Sequence, residues 1–165
     1  EFCDTRFGNN NPYCQDNLTS WLDWKLLDTH RDIFEFCKYM IHFRRNHPAI
    51  RKSIAQSHCG FPPISQHGAT PWDDNFTQDS KIVCTMFAGH DEKQDLEDIV
   101  YLAVNPYWES ILIHLPKLPE PLQWHLAVDT SLSDTGGCTF EKEQMSHVGN
   151  DYLIGARTVV VLTAH

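Results

Sequence analysis

The stretch Gly8 to Asn17, reading GNNNPYCQDN, is followed closely by Ser20 to Trp24, reading SWLDW. Together they place Asn9, Asn10, Asn11, Gln15, Asp16, Asn17 and Asp23 among three rings, Tyr13, Trp21 and Trp24. The amides and carboxylates donate and accept hydrogen bonds in both directions, and the rings offer flat apolar faces. Sugars have that mixed character, so Asn9, Asn10, Asn11, Tyr13, Gln15, Asp16, Asn17 and Trp21 are candidate carbohydrate contacts. The same amides also suit Asx turns that bond the loop's own backbone, and both uses stay open. Trp21 and Trp24 have packing as their competing use, which makes Tyr13 the better stacking candidate.

Other chemistry finds less support. Ten histidines and six cysteines invite a metal reading, especially His42 with His47 and His58 with Cys59. No His-x3-His or Cys-x2-Cys pair occurs, however, and no metal site is expected from this spacing. Trp72, Trp108 and Trp124 are read as core or edge packing rather than a sugar-stacking platform. A formal charge of −9 repels phosphate backbones and anionic membrane surfaces, so nucleic acid and membrane are not expected partners. The scattered cysteines read as reduced thiols, which suits the cytoplasm. At 165 residues the chain can bury a core without a cofactor, and none is expected. It opens on Glu1 rather than Met, so the lack of a leader pattern says nothing of what lies upstream.

The elements that must position these residues fall into three regions. Residues 1 to 29 lack periodicity and read as a long loop, a length that is usually functional or disordered, and the aromatic content argues against disorder. Thr29-His30-Arg31-Asp32 resembles a capping box with Asp in place of Glu. Ile33, Phe34, Phe36, Cys37, Met40 and Ile41 then recur at helical spacing, predicting a helix over about 30 to 46 that Pro48 stops. From about Ser57 onward, short β-rich runs alternate with Gly, Pro and Asp clusters, the pattern of an antiparallel sandwich or barrel. The expected strands are Lys81 to Ala88, Ile99 to Asn105, Ser110 to His114, Gln123 to Asp129 and Thr158 to Thr163, with a weaker one around Tyr152 to Ile154. Asp91 to Asp98 reads as a solvated hairpin loop, and Pro62-Pro63, Pro116 to Pro121 and Ser131 to Gly137 as further loops.

One helix and one sheet make an incomplete recipe, because the helix carries apolar residues around much of its circumference and nothing precedes the ordered loop. The residues themselves suggest why. Glu1-Phe2, Gly8 to Asn11, Tyr13 to Asn17 and Ser20 to Trp24 resemble isoamylase-type glycogen debranching enzymes of the α-amylase superfamily. The resemblance continues through the helix FEFCKYMIHFRRNHPAI, His67-Gly68, Pro71-Trp72-Asp73 and Val104 to Glu109. It ends with Leu115-Pro116, Trp124, Val128-Asp129-Thr130 and Ala156 to Leu162. Lys81 stands where that family usually has Arg.

The resemblance implies a parent with a catalytic (β/α)8 barrel and a closing β-sandwich, of which this chain is the C-terminal part. The fold is then mainly β: residues 1–56 are the loop after the eighth barrel strand plus the last barrel helix, and residues 57–165 the β-sandwich. Glu1 would end the eighth strand, and the loop would face an α-glucan such as glycogen or limit dextrin, because loops after the strands build barrel active sites. The family's essential carboxylates lie upstream, so no catalytic residue is assigned, and Asp4, Asp16, Asp23 and Asp28 match no catalytic role. The implied partners are the missing barrel and the glucan, with the exposed helix face a candidate for dimerisation. A free-standing α-glucan-binding module and a protein-interaction domain are the competing readings.

Overall fold

A computed structural model describes residues 2–52, 54–135 and 137–165, so Glu1 and Gly136, which fall in the expected loops, lie outside the described residues. The chain divides into two compact units, residues 1–43 and 44–165.

In the first unit a long non-repetitive segment leads into a helical turn, α1 (Leu26–Thr29), and then α2 (Arg31–Asn46). The expected helix is present, but its start is made differently. Thr29 closes α1 and donates its hydroxyl to the Lys25 carbonyl at 3.3 Å, so the first turn of α2 rests on charge instead. Arg31 binds Asp28 at 2.8 Å and Lys38 binds Glu35 at 2.9 Å along the exposed side. Arg44 and Arg45 occupy the last turn, where cations complement the helix dipole. Phe43 is buried with Tyr39 stacked beside it, while Ile33 and Ile41 remain exposed.

In the second unit Pro48 opens a 3-10 turn (Pro48–Ile50) that ends helical geometry as expected. Among the described residues eight strands follow: β1 (Ile64–His67), β2 (Val83–Asp91), β3 (Leu96–Asn105), β4 (Ile111–His114), β5 (Trp124–Asp129), β6 (His147–Val148), β7 (Asp151–Ile154) and β8 (Thr158–Ala164). Six of them form one antiparallel sheet in the order β1-β2-β3-β8-β5-β6, and β4 pairs with β7 in a separate ribbon. Period-two alternation puts Ile99, Tyr101 and Ala103 of β3 and Val160, Leu162 and Ala164 of β8 on one face. There they join Met86, Trp124 and the ribbon's Ile113 and Ile154 in a single core. A bulge in β5 between Leu126 and Val128 resets its register against β8 from Leu162 to Val161.

The expected strands all appear, with two additions and one shift. β1 and β6 escaped the pattern because one is four residues between Pro-rich and Gly-rich segments and the other only two. The acidic hairpin is shorter than expected: β2 runs to Asp91 and β3 begins at Leu96. Asp98 is therefore in a strand, buried, and accepts the Ala49 N–H at 2.7 Å while pairing with His47 Nδ1 at 2.6 Å. Of the three tryptophans read as packing, Trp124 is core and donates to the Pro116 carbonyl at 3.0 Å, whereas Trp72 and Trp108 are half exposed or more. Lys81 places its ammonium 4.3 Å from the Tyr107 ring centre, a cation–π contact.

Buried polar side chains close the strand ends. Asn105 donates to the carbonyls of Glu109 (2.9 Å) and Gly155 (2.7 Å) and accepts the Tyr107 N–H (3.0 Å), joining the turn after β3 to the turn before β8. Asp129, at the end of β5, accepts the Tyr152 hydroxyl at 2.6 Å and the Ser131 N–H and hydroxyl at 2.9 and 2.6 Å, linking the main sheet to β7. An Asn at position 129 would turn an amide N–H2 or a weaker acceptor toward these donors. Hydrogen bonds to charged groups contribute roughly 1.5–3 kcal/mol, so Asp129→Asn should lower stability by about 2 kcal/mol and Tyr152→Phe by about 1.5 kcal/mol, read from urea unfolding midpoints.

His67 is fully buried, and its Nδ1 accepts the Trp72 N–H at 2.8 Å. The ring proton therefore sits on Nε2, which meets Ser65 Oγ at 2.8 Å. Burial lowers the His67 pKa below its ordinary value. The folded chain thus holds a neutral imidazole, whereas the unfolded chain protonates His67 near about pH 6.5. The unfolded state binds more protons as pH falls, so this group leaves stability unchanged above that pH and erodes it below. The urea midpoint should drop between about pH 7.5 and about pH 5.5, and His67→Gln, though less stable throughout, should show a smaller drop.

Candidate functional site: an amide and aromatic loop

The segment from Phe2 to Lys25 is built from turns that hold one another. Asn9 N–H donates to the Arg6 carbonyl at 3.0 Å across Phe7 and Gly8, whose φ values of 52° and 82° are both positive, as a type I′ turn requires. Gly8 meets that requirement without strain, whereas Phe7 does not. Asn9 Oδ1 then accepts the Asn11 N–H at 2.9 Å in an Asx turn. A second turn follows, in which the Gln15 N–H reaches the Pro12 carbonyl at 3.2 Å and Cys14 has φ 58° at the position where type II turns favour glycine. Tyr13 stands at the corner of that turn, 83% exposed.

The two turns are bound to each other through side chains. Asn9 Nδ2 meets Gln15 Oε1 at 3.4 Å, and Gln15 Nε2 donates to the Asn11 carbonyl at 3.3 Å. Asn17 opens the next turn: its carbonyl accepts from Ser20 and Trp21 N–H, and its Oδ1 accepts from Thr19 N–H at 2.9 Å. The Ser20 hydroxyl donates to the Gln15 carbonyl. Asp16 Oδ1 accepts the Trp21 indole N–H at 2.7 Å, which fixes the ring while leaving it 55% exposed.

Of the eight residues singled out from sequence, four are thereby committed to the loop itself. Asn9, Gln15, Asp16 and Asn17 spend polar atoms on internal bonds. The side chains of Asn10, Asn11 and Tyr13 make no hydrogen bond to the described residues, and the Trp21 face is open. Of those eight, two amides, one phenol and one indole face are left outward, and the loop also exposes the apolar side chains of Phe7, Leu18 and Trp24.

Two stabilising contacts were not anticipated. Arg6 pairs with Asp4 at 2.9 Å and donates to the Thr19 carbonyl at 3.2 Å, cross-linking the two limbs, and Phe2 stacks on Trp24 at 5.5 Å near the loop's ends. The close pair Asp4/Arg6, placing a cation among amides, was the available signal for the first. The remaining carboxylates are also in structural use, with Asp23 accepting the Lys25 N–H at 3.0 Å and Asp28 paired to Arg31.

The β unit carries two further features. A cleft of about 320 Å³ is lined by Gly68, Asp73, Phe76, Lys81 and Ile111 among others. At the β2-β3 hairpin, donor atoms of His58, His90 and Glu97 lie within 4.8 Å of one another, a convergence that sequence spacing does not reveal. No helix among the described residues is long and apolar enough to cross a membrane.

No family model matches the chain. It is 30% identical over 142 residues to isoamylase 1, chloroplastic, of Arabidopsis thaliana, covering 84% of this chain and 17% of that protein. A 48-residue stretch is 50% identical to a glycogen debranching enzyme of Erwinia tasmaniensis, covering 29% of this chain and 7% of that one. Among solved structures, pullulanase from Bacillus acidopullulyticus superposes with a TM-score of 0.63 over 97% of this chain and 17% of its own, at 20% identity, which is a likeness of fold. The chain spans about a fifth of the length of the longer-matching curated relatives. Over most of its 165 residues, then, the chain is a homologue of the isoamylases, and over a 48-residue stretch also of a glycogen debranching enzyme.

Proposed function

We propose that this chain is the C-terminal region of an enzyme that hydrolyses α-1,6 branch linkages in glycogen or a related α-glucan. On this reading residues 1–56 complete the catalytic barrel and residues 57–165 form the closing β-domain, in a reducing, cytoplasmic setting. The observation that carries it is the loop from Phe2 to Lys25, which keeps itself in shape and leaves Tyr13, Asn10, Asn11 and the Trp21 face outward. Such a surface offers a ring to the apolar face of a glucose unit and amides to its hydroxyls. The exposed Ile33 and Ile41 of α2 supply apolar surface for neighbouring barrel helices.

Retaining hydrolysis at a glycosidic bond needs two carboxyl groups roughly 5 Å apart, one as nucleophile and one as acid and base. Asp4, Asp23 and Asp28 are engaged in an ion pair, a turn and a helix-start pair, and Asp16 holds the indole. These uses support a positioning role for the loop, with the reacting carboxylates on the upstream barrel. Six free thiols accord with the reducing setting.

The purified chain alone should release no reducing ends from glycogen or pullulan. Turnover above a mock-purified control would sink the reading. Joined to its upstream barrel, the enzyme carrying Tyr13→Ala should lose about tenfold in kcat/KM on branched glucan, the equivalent of one good stacking contact of roughly 1.5 kcal/mol. An unchanged kcat/KM would place the glucan elsewhere.

A further inference from the structure

The hairpin between β2 and β3 and the turn that follows Ala55 meet at three potential ligands. His90 lies at the end of β2, Glu97 at the start of β3, and His58 in the turn. Backbone pairing holds the two segments together: Ala55 bridges to His90, whose N–H reaches the Ala55 carbonyl at 2.9 Å. Gly89 permits the approach, since a Cβ there would run into the Ile54 side chain and lie 3.1 Å from the Ala55 carbonyl.

Glu97 is placed from both imidazoles as one ion would place it, and all three donor atoms lie within 4.8 Å of one another. Glu97 Oε1 is 3.0 Å from His90 Nδ1 and 3.6 Å from His58 Nδ1. A tetrahedral ion with bonds of about 2.0–2.1 Å separates its ligand atoms by roughly 3.3 Å, between those two values. The two imidazole rings lie 4.0 Å apart, centre to centre.

The surroundings orient the same three groups. His90 turns its other nitrogen, Nε2, toward the exposed Asp95, whose Oδ1 lies 3.3 Å away, so a metal on Nδ1 would set the Nε2 proton facing this carboxylate as in a carboxylate–histidine pair. Glu97 has its second oxygen occupied by the Ser57 hydroxyl at 2.5 Å, which leaves Oε1 directed at the imidazoles, where it also accepts the His58 backbone N–H at 3.1 Å. His90 is 8% exposed and His58 is at the surface, so the cluster has a fixed inner wall and an open entry.

We propose that His58, His90 and Glu97 bind a divalent transition-metal ion of the zinc class, with Asp95 and Ser57 as the groups that orient the ligands and water in the fourth position. Two nitrogen donors and one carboxylate suit zinc over magnesium or calcium, which take oxygen ligands. The ion ties the turn at Ser57 and His58 to the hairpin, replacing mobile side-chain hydrogen bonds by three coordinate bonds.

The test is Zn²⁺ binding by the full chain, followed by calorimetry and by the thermal unfolding midpoint. Wild type should take up one saturable equivalent and unfold at a higher temperature with Zn²⁺, and not with Mg²⁺ at the same concentration. His58→Ala, an exposed change that leaves the fold intact, and Glu97→Gln should each weaken binding at least tenfold and abolish the midpoint shift. Asp95→Asn should weaken it about tenfold through the ligand's orientation. His147→Ala, in the separate group where His125 lies 6.0 Å from His147 and 4.0 Å from His165, should leave binding unchanged. No saturable binding by wild type, or binding by His58→Ala equal to wild type, overturns the assignment. Loss in His147→Ala instead would overturn it as well.

Discussion

Strand β3 is hydrogen-bonded along both edges, to β2 across its length and to β8 from Ile99 to Asn105, and the rest of the β unit is arranged around that double pairing. A strand paired on both sides cannot slip by one residue without sending its core face to the opposite side of the sheet. Ile99, Tyr101 and Ala103 are therefore fixed against Met86 and Leu162, and the two ends of β3 are fixed with them. At one end Glu97 and Asp98 receive the chain that enters the unit. Asp98 holds His47 and Ala49, and Glu97 holds Ser57 and His58. At the other end Asn105 receives the two turns flanking β4 and β8. One rigid element thus sets the position of both loop layers.

The loop from Phe2 to Lys25 obeys a different rule. It has no strand to borrow hydrogen bonds from, and each residue fixed costs about 1–2 kcal/mol of backbone entropy. Its order comes from side chains that substitute for a ladder: Asn9, Gln15 and Asn17 each bond a backbone group, and Asp16 holds the Trp21 indole. The price appears as positive φ at Cys3, Phe7 and Cys14, none of which is glycine. Residues in such conformations persist where their surroundings over-determine them, and here the surroundings are the loop's own cross-links through Arg6 and Ser20.

What could be read from the sequence follows from range. The helix α2 and strands β2, β3, β5 and β8 announce themselves because periodicity is a local property, and TVVVLT can hardly be anything but a central strand. β6 could not be read, because two residues carry no period and its pairing with β5 is decided by distant chain. Within the loop, composition revealed that amides and rings mattered, and the Asx alternative proved to apply to Asn9 and Asn17. Which amides stay outward depends on turn geometry that residue types alone do not specify. The acidic run was legible as a hairpin, yet its last two carboxylates are largely withdrawn from solvent because β3 begins earlier than the charge pattern suggests. His58, His90 and Glu97 are separated by 32 and 7 residues, a spacing that only the sheet converts into proximity.

The same contrast bears on how the loop could serve a ligand. A side chain already bonded within the loop loses that bond if it turns to a sugar, so Asn9 and Gln15 would exchange one hydrogen bond for another at little net gain. Tyr13 and Asn10 carry no such debt, and the turn that fixes the Tyr13 backbone has already removed part of the entropy a stacking contact would otherwise have to overcome. Trp21 is intermediate: its indole N–H is held by Asp16, which orients the ring, while its face stays open. Internal bonding and outward availability are therefore complementary uses of one set of residues. The four that hold the loop together are what make the remaining ones ordered enough to recognise anything.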